Sequence, residues 1–371
     1  MRPDTGSTHS GNSRIEGSSA SEDMGRRRFL GAAALSAAAI AMGRTPGGAF
    51  PTKAFALATE DSLAVDALAL DLGGAVAWFN SPGLTVDSLR GKVVLVDIWT
   101  YSCINSLRQL PYIGAWAAKY RDAGLVVIGV HTPEFTFEHD HANVQWAVSN
   151  YRVAYPVPMD NNYAIWRSLH NEYWPADYLI DGKGNLRYHH FGEGAYPVSE
   201  RHIQQLLEEN GATNVPSGTV HVSGQGVEAP ASGTQETPET YIGSQRAENF
   251  VSPLPATLSQ NHWGLSGLWK VGKESAVLES APGTIVFRFH ARDLHLIVAP
   301  GMNGKPVRFK VTLDGREPGS DHGLDVAADG TGAVREPRLH QLIRQQGPVR
   351  DRTFQIQFFD PGVLAYDFTF G

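Results

Sequence analysis

One residue of the 371 is a cysteine, Cys103. It follows an apolar run at 93–99 and precedes Leu107, Leu110, Ile113, Trp116, Ala117 and Tyr120, which recur at helical spacing. A thiol at that junction sits at the start of a helix. Unpaired backbone N–H groups and the positive end of the helix dipole favour the thiolate there. The position therefore predicts a lowered pKa and a nucleophilic sulfur. Asp97, six residues earlier, puts a carboxyl inside the apolar strand. Trp99 stands four residues before the thiol. Pro111 stands eight after it, inside the helical pattern, where it should kink the helix. A single cysteine excludes an intrachain disulfide and a thiolate metal cluster.

Other groups point to less. His139-Asp140-His141 and His189-His190 have no third ligand at a convincing spacing, and neighbouring strand residues face opposite sides. No metal and no cofactor are expected. Glu134 and Glu138, after the strand ending at Val130, could lie on the rim of the site, and a solvated loop is the preferred reading. Tyr241, His262, Trp263 and Trp269 could form an aromatic sugar platform or fill a β core, and the core reading is preferred because aromatics dominate cores.

The elements that must hold these residues follow from composition. Residues 1–24 are rich in Ser, Gly and Asp. Arg26-Arg27-Arg28-Phe29-Leu30, an Ala-rich apolar stretch at 31–43 and Ala54-Phe55-Ala56 then follow in the order of a twin-arginine export signal with a small-residue cleavage site. Residues 1–56 are read as that signal and its disordered lead, and 57–71 as a lead-in. No later stretch reaches 18 consecutive apolar residues, so a soluble periplasmic or extracytoplasmic protein is expected. With 42% hydrophobic and 19% charged residues, the rest is ordinary globular chain. A net charge of −7 gives no reason to expect DNA or other nucleic acid as partner.

Over 72–210, buried strands at 93–99 and 125–130 alternate with helical patterns at 104–120, 138–150 and 162–170. A hairpin at 176–190 turns on Asp181-Gly182-Lys183-Gly184, and a helix over 198–209 stops at Asn210-Gly211. That order predicts an α/β domain, a mixed sheet with helices on both faces. Residues 211–238 read as a Gly-, Ser-, Thr-, Pro- and Glu-rich linker. Residues 239–371 carry short strand-like runs punctuated by Pro300-Gly301, Asp314-Gly315 and Asp360-Pro361-Gly362, which predicts an all-β, jelly-roll-like sandwich.

Asp97, Trp99, Cys103, Pro111 and Trp174-Pro175 together resemble the thioredoxin superfamily. The resemblance implies a thioredoxin fold in which Cys103 is the nucleophile, Asp97 the buried acid and Pro175 a cis-proline beside the thiol. Three segments narrow it: Val96-Asp97-Ile98-Trp99-Thr100-Tyr101-Ser102-Cys103-Ile104-Asn105, Trp174-Pro175-Ala176-Asp177-Tyr178-Leu179-Ile180-Asp181, and Gly192-Glu193-Gly194-Ala195-Tyr196. They are similar to the soluble part of DipZ-like proteins, relatives of the TlpA-type extracytoplasmic thioredoxins. Glu239-Thr240-Tyr241-Ile242-Gly243, Arg246-Ala247-Glu248-Asn249-Phe250 and the ending Phe368-Thr369-Phe370-Gly371 resemble that family's carbohydrate-binding-module-like C-terminal domain. The implied partners are extracytoplasmic protein thiols or disulfides, a CcdA- or DsbD-like electron donor or a small thiol, and a carbohydrate.

The family motif continues Cys-Ile-Asn-Cys, whereas this chain reads Cys103-Ile104-Asn105-Ser106. A dithiol reductase releases its product when the second cysteine attacks the mixed disulfide, a step Ser106 cannot perform. Three readings stay open. Cys103 performs monothiol exchange resolved by an external thiol. Alternatively, the domain has lost turnover and serves as a binding or scaffolding module. In the third, Cys103 reduces peroxide through a sulfenic acid; Thr100 matches the threonine peroxiredoxins place three before their cysteine, but Val96 stands where they have proline.

Overall fold

The strand Val93–Trp99 is buried at every position, and the computed structural model shows why. Val93, Leu95 and Trp99 face one hydrophobic cluster, and Val94, Val96 and Ile98 face another, so the strand is covered on both sides. The structure describes residues 70–301 and 304–371. The export pattern over 1–56 lies outside the described residues.

The first domain runs β1 (Ala77–Phe79), β2 (Val93–Trp99), α1 (Ile104–Tyr120), β3 (Leu125–His131), α2 (His141–Asn150), β4 (Val157–Met159), α3 (Ala164–Ser168), β5 (Ala176–Ile180), β6 (Leu186–Phe191) and α4 (Tyr196–Glu209). The sheet order is β1-β4-β3-β2-β5-β6. Strands β2, β3 and β4 run parallel, while β1, β5 and β6 pair antiparallel, which is the mixed sheet the sequence predicts. Helices α1, α2 and α4 cover one face, and α3 with residues from 70–89 covers the other. Two helices are shorter than their patterns. Asp140 accepts from the N–H groups of Ala142 (2.8 Å) and Asn143 (3.2 Å), a side-chain cap that starts α2 at His141 and leaves Glu138 in a separate turn, Thr136–His139.

The second domain contains β7 (Thr240–Tyr241), β8 (Trp263–Val271), β9 (Ala276–Phe289), β10 (Asp293–Ala299), β11 (Val307–Leu313), β12 (Thr331–Val334), β13 (Arg338–Arg344), β14 (Arg352–Phe358) and β15 (Leu364–Phe370). All of its strand pairs are antiparallel. The order β12-β11-β14-β9-β15-β10-β13 is one hydrogen-bonded path. Strand β9 makes the connection: Ala276 and Val277 pair with β15, while 283–289 pair with β14. A strand that changes neighbours part-way lets the sheet fold over its own core. That core holds Phe287, Phe289, Phe354, Phe368 and Phe370, with the Phe287 ring 5.0 Å from Phe368 and 5.3 Å from Phe370.

The two domains share apolar surface. Ile297, Ala299, Leu339 and Tyr366 of the second domain are part of the core cluster built on α1, α2 and α4. The Tyr366 ring lies 4.9 Å from Phe137 and 5.3 Å from Phe135, and such pairs contribute about 0.5–1.5 kcal/mol each beyond area burial. The segment 211–238 has a linker's composition, yet it is held against the first domain. Val215, Val220 and Val227 pack on the core; the Val220 N–H donates to Glu200 (2.7 Å), and Lys119 Nζ donates to the Gly218 carbonyl (2.6 Å). Composition signals chain flexibility, but it does not register a valine every few residues that meets a groove. Among the described residues, no helix is long and apolar enough to cross a membrane.

Candidate active site

Cys103 occupies the N-cap of α1, with φ −77° and ψ 118°, directly after β2 and the loop 100–102. Its Sγ approaches the Trp174 carbonyl at 3.9 Å, and the Trp174–Pro175 peptide is cis. The loop 171–175 thus lines the thiol. Ser106 lies one turn into α1, buried, and its Oγ accepts from the Thr100 N–H at 3.5 Å. Ile104 is buried and Asn105 half-buried. Trp99 is fully buried beneath the loop and donates through Nε1 to the Gly129 carbonyl at 3.1 Å. Tyr101 is buried too, its ring stacked on His131 at 5.5 Å and edge-on to Phe137 at 5.9 Å.

The expectation of a lowered thiol pKa is corrected here. Cys103 is 9% exposed, and burial pushes its thiol well above the ordinary range. The carboxylates of Glu239 and Glu134 add to that rise, and the two Ser106 donors oppose it. The helix terminus acts locally, whereas burial and the two acids depend on a neighbouring loop and on the second domain. Alkylation of Cys103 with iodoacetamide is therefore expected to have a midpoint above the free-cysteine value of about 8.5. A midpoint below 8 would contradict the upward shift.

Asp97 is buried in β2 and faces Asp177 directly across the β2–β5 pair. Gln109 of α1 donates through Nε2 to Oδ1 of both acids, at 3.1 Å each. Burial raises both pKa values, Asp97 to about 7 and Asp177 well above its ordinary value, where the Asp97 charge adds to the rise. Asp97 Oδ2 and Gln109 Oε1 have no hydrogen-bond partner. The second acid and the bridging amide are not evident from spacing alone. The signal for Asp177 is a carboxylate inside the apolar run 176–180.

Glu138 departs furthest from the solvated-loop reading: it is 0% exposed. Its Oε1 accepts from Thr100 Oγ1 (2.6 Å), Ser102 N–H (3.2 Å) and Ser102 Oγ (2.7 Å), and its Oε2 from the N–H groups of Glu134 (2.6 Å) and Phe135 (2.9 Å). The flanking Phe135 and Phe137 are the signal that this stretch turns inward.

The four aromatic candidates of the second domain do not converge. Trp263 is 1% exposed in the core and donates to the Glu248 carbonyl at 2.9 Å. Trp269 donates to the Ser266 carbonyl (3.0 Å) and meets Phe358 edge-on, while His262 Nδ1 contacts the Gln260 carbonyl at 2.9 Å. Tyr241 lies at the domain contact, where its hydroxyl donates to Glu134 Oε1 at 2.9 Å. His189 is exposed and His190 half-buried on β6. Among the described residues, no group of three or more His, Cys, Asp or Glu is placed to hold a metal ion.

Both domains match known families. Residues 81–189 match the AhpC/TSA family, and residues 237–371 match the family described as thioredoxin like C-terminal domain. The chain belongs to the thioredoxin-like superfamily. It is 38% identical over 250 residues to protein DipZ of Mycobacterium bovis, covering 62% of this chain and 34% of that protein. The chain thus spans about a third of the length of these DipZ relatives. It is 27% identical over 139 residues to the thiol-disulfide oxidoreductase YkuV of Bacillus subtilis, covering 38% of this chain and 93% of YkuV. The solution structure of a thioredoxin-like protein in the oxidized form aligns at 27% identity with a TM-score of 0.35, covering 38% of this chain and 93% of that one.

Proposed function

We propose that this protein is an exported thiol-disulfide oxidoreductase that works through Cys103 alone. The observation that carries the reading is the placement of Cys103 at the N-cap of α1 beside Trp174–Pro175, with serine at residue 106. The thiolate of Cys103 attacks a substrate disulfide, forms a mixed disulfide and releases one substrate thiolate. An external thiolate then attacks the mixed disulfide, regenerates the Cys103 thiolate and carries away the substrate sulfur as a new disulfide. The number of disulfides is unchanged in each half.

The upward shift of the thiol supports a particular version of this cycle. A buried thiol of high pKa ionises sparingly at neutral pH, but its thiolate is intrinsically nucleophilic and leaves poorly. Mixed disulfides on Cys103 should therefore form slowly and last. The substrates proposed are extracytoplasmic protein disulfides or thiols, and the resolving partner a small thiol or a DsbD-like donor. Export rests on the arginine, apolar and Ala-x-Ala pattern at 26–56. Exposure to a glutathionylated protein should leave an adduct on Cys103, read by intact mass, that is absent in Cys103→Ala.

A second reading, a binding module without turnover, is favoured by the same burial of Cys103. An inert Cys103 in the adduct experiment would select it. Peroxide reduction is the weakest of the three, because the Thr100 hydroxyl it needs beside the sulfur donates to Glu138.

A further inference from the structure

Five donors converge on the Glu138 carboxylate, and three of them are backbone N–H groups that cannot reverse. A buried carboxylate satisfied this fully fixes whatever it holds. Through Oε1 it holds Thr100 and Ser102, the residues just before Cys103. Through Oε2 it closes its own turn onto Glu134 and Phe135. The outer side of that turn is clamped by the second domain. Glu134 Oε1 accepts from Tyr241 Oη (2.9 Å) and from Arg246 Nη1 (2.7 Å), with the Arg246 guanidinium 3.5 Å from the centre of the Tyr241 ring. Thr136 donates to Glu274 through its N–H (2.6 Å) and its Oγ1 (2.5 Å). A continuous path of hydrogen bonds thus runs from Tyr241 and Arg246 through Glu134 and Glu138 to the loop that carries the thiol.

We propose that Glu138 is a positioning residue for Cys103, and that the second domain sets the reactivity of the thiol through the turn 134–138. The proposal rests on the reading of Cys103 as the exchanging thiol. It gives the second domain a role at the site that does not depend on a carbohydrate. Glu138 acts by keeping loop 100–102, and with it Cys103, in place at the N-cap of α1, one turn before Ser106 and 3.9 Å from the Trp174 carbonyl. When that loop loosens, the sulfur moves from the start of the helix and from Ser106, whose N–H and hydroxyl favour the thiolate, and the thiolate becomes harder to form.

The test is the pH profile of Cys103 alkylation by iodoacetamide in the full chain. Glu138→Gln is expected to raise the midpoint by about one pH unit, since the helix start and Ser106, which oppose the upward shift, are then less well placed against the sulfur. Ser102→Ala, which removes one hydroxyl and keeps the backbone N–H, should shift it in the same direction by less, and serves if Glu138→Gln does not fold. Tyr241→Phe, which removes one hydrogen bond of the clamp and no charge, should also raise the midpoint, by less. An unchanged midpoint in Glu138→Gln and Ser102→Ala with the fold retained by circular dichroism would overturn the positioning role. A shift in those variants with none in the clamp variant would overturn the control by the second domain. Alkylation needs no disulfide exchange, so failure of exchange in wild-type protein would leave this comparison intact.

Discussion

Replacing Ser106 with cysteine is expected to turn a slow, stoichiometric thiol into a catalyst of insulin reduction. On the proposed monothiol cycle, a mixed disulfide on Cys103 waits for an external thiol. A thiol at residue 106 would attack from one turn along the same helix, since Cys103 is the N-cap of α1 and residue 106 lies in its first turn. Oriented intramolecular reactions have effective molarities of about 10⁵ M or more, so even a poorly aligned attack should raise turnover by at least ~100-fold. Asp97 is buried in the strand that leads to the thiol, one of its carboxylate oxygens lacks a partner, and the Trp174 carbonyl lies 3.9 Å from the sulfur. Ser106 is buried, so the larger sulfur must be accommodated, but one heavy-atom exchange is a modest overpacking. A gain below twofold, with the variant folded, would show that the site has lost more than its second thiol.

The second large effect concerns stability. Asp97→Asn should stabilise the protein by roughly 2–4 kcal/mol at pH 8 and leave it nearly unchanged at pH 4. Asp97 and Asp177 oppose each other across β2 and β5 with one amide, Gln109, between them. Burial raises Asp97 to about 7 in the folded protein, above the ordinary aspartate value. A raised folded-state pKa means that the folded chain binds more protons than the unfolded one. Stability from this group is full below about pH 4, declines as pH rises toward 7, and stays low beyond. The asparagine amide carries no charge and can donate to Asp177. Urea denaturation of both proteins at pH 4 and pH 8 measures the difference directly. Other carboxylates, such as Asp293 between Arg292 and Arg344, titrate with the opposite sign but are common to both proteins. Equal stability at pH 8 would contradict a buried acid pair.

What the sequence revealed and what it hid follow the range of the forces involved. The strand, thiol and helix at 93–120 were legible because apolar periodicity and helix termini are local. The hairpin at 176–191 was legible because Asp181-Gly182-Lys183-Gly184 can hardly do anything but turn. Strand β13 was not, since His340 and Gln341 interrupt its apolar pattern although both are buried. The docking of 211–238 depends on surfaces of α1 and α4 brought together only by the fold. Glu138 looked like a surface acid because its five donors come from two loops some 35 residues apart in sequence. The sign of the thiol shift is hidden from the sequence for the same reason. The helix N-terminus is visible at 103–104, but Glu239 lies 136 residues away and burial is a property of the assembled chain. Trp263 and Trp269 carry sugar-platform chemistry in composition, and their positions disperse it.

The central claim is that Cys103 exchanges with disulfides and is resolved from outside. Intact mass spectrometry of the full chain, mixed with a glutathionylated protein and sampled over time, tests it most directly. The account predicts a mixed disulfide on Cys103 that accumulates faster at pH 9 than at pH 7, persists for lack of a resolving thiol, and disappears at a rate proportional to added external thiol. A Cys103 that stays unmodified at both pH values would contradict it.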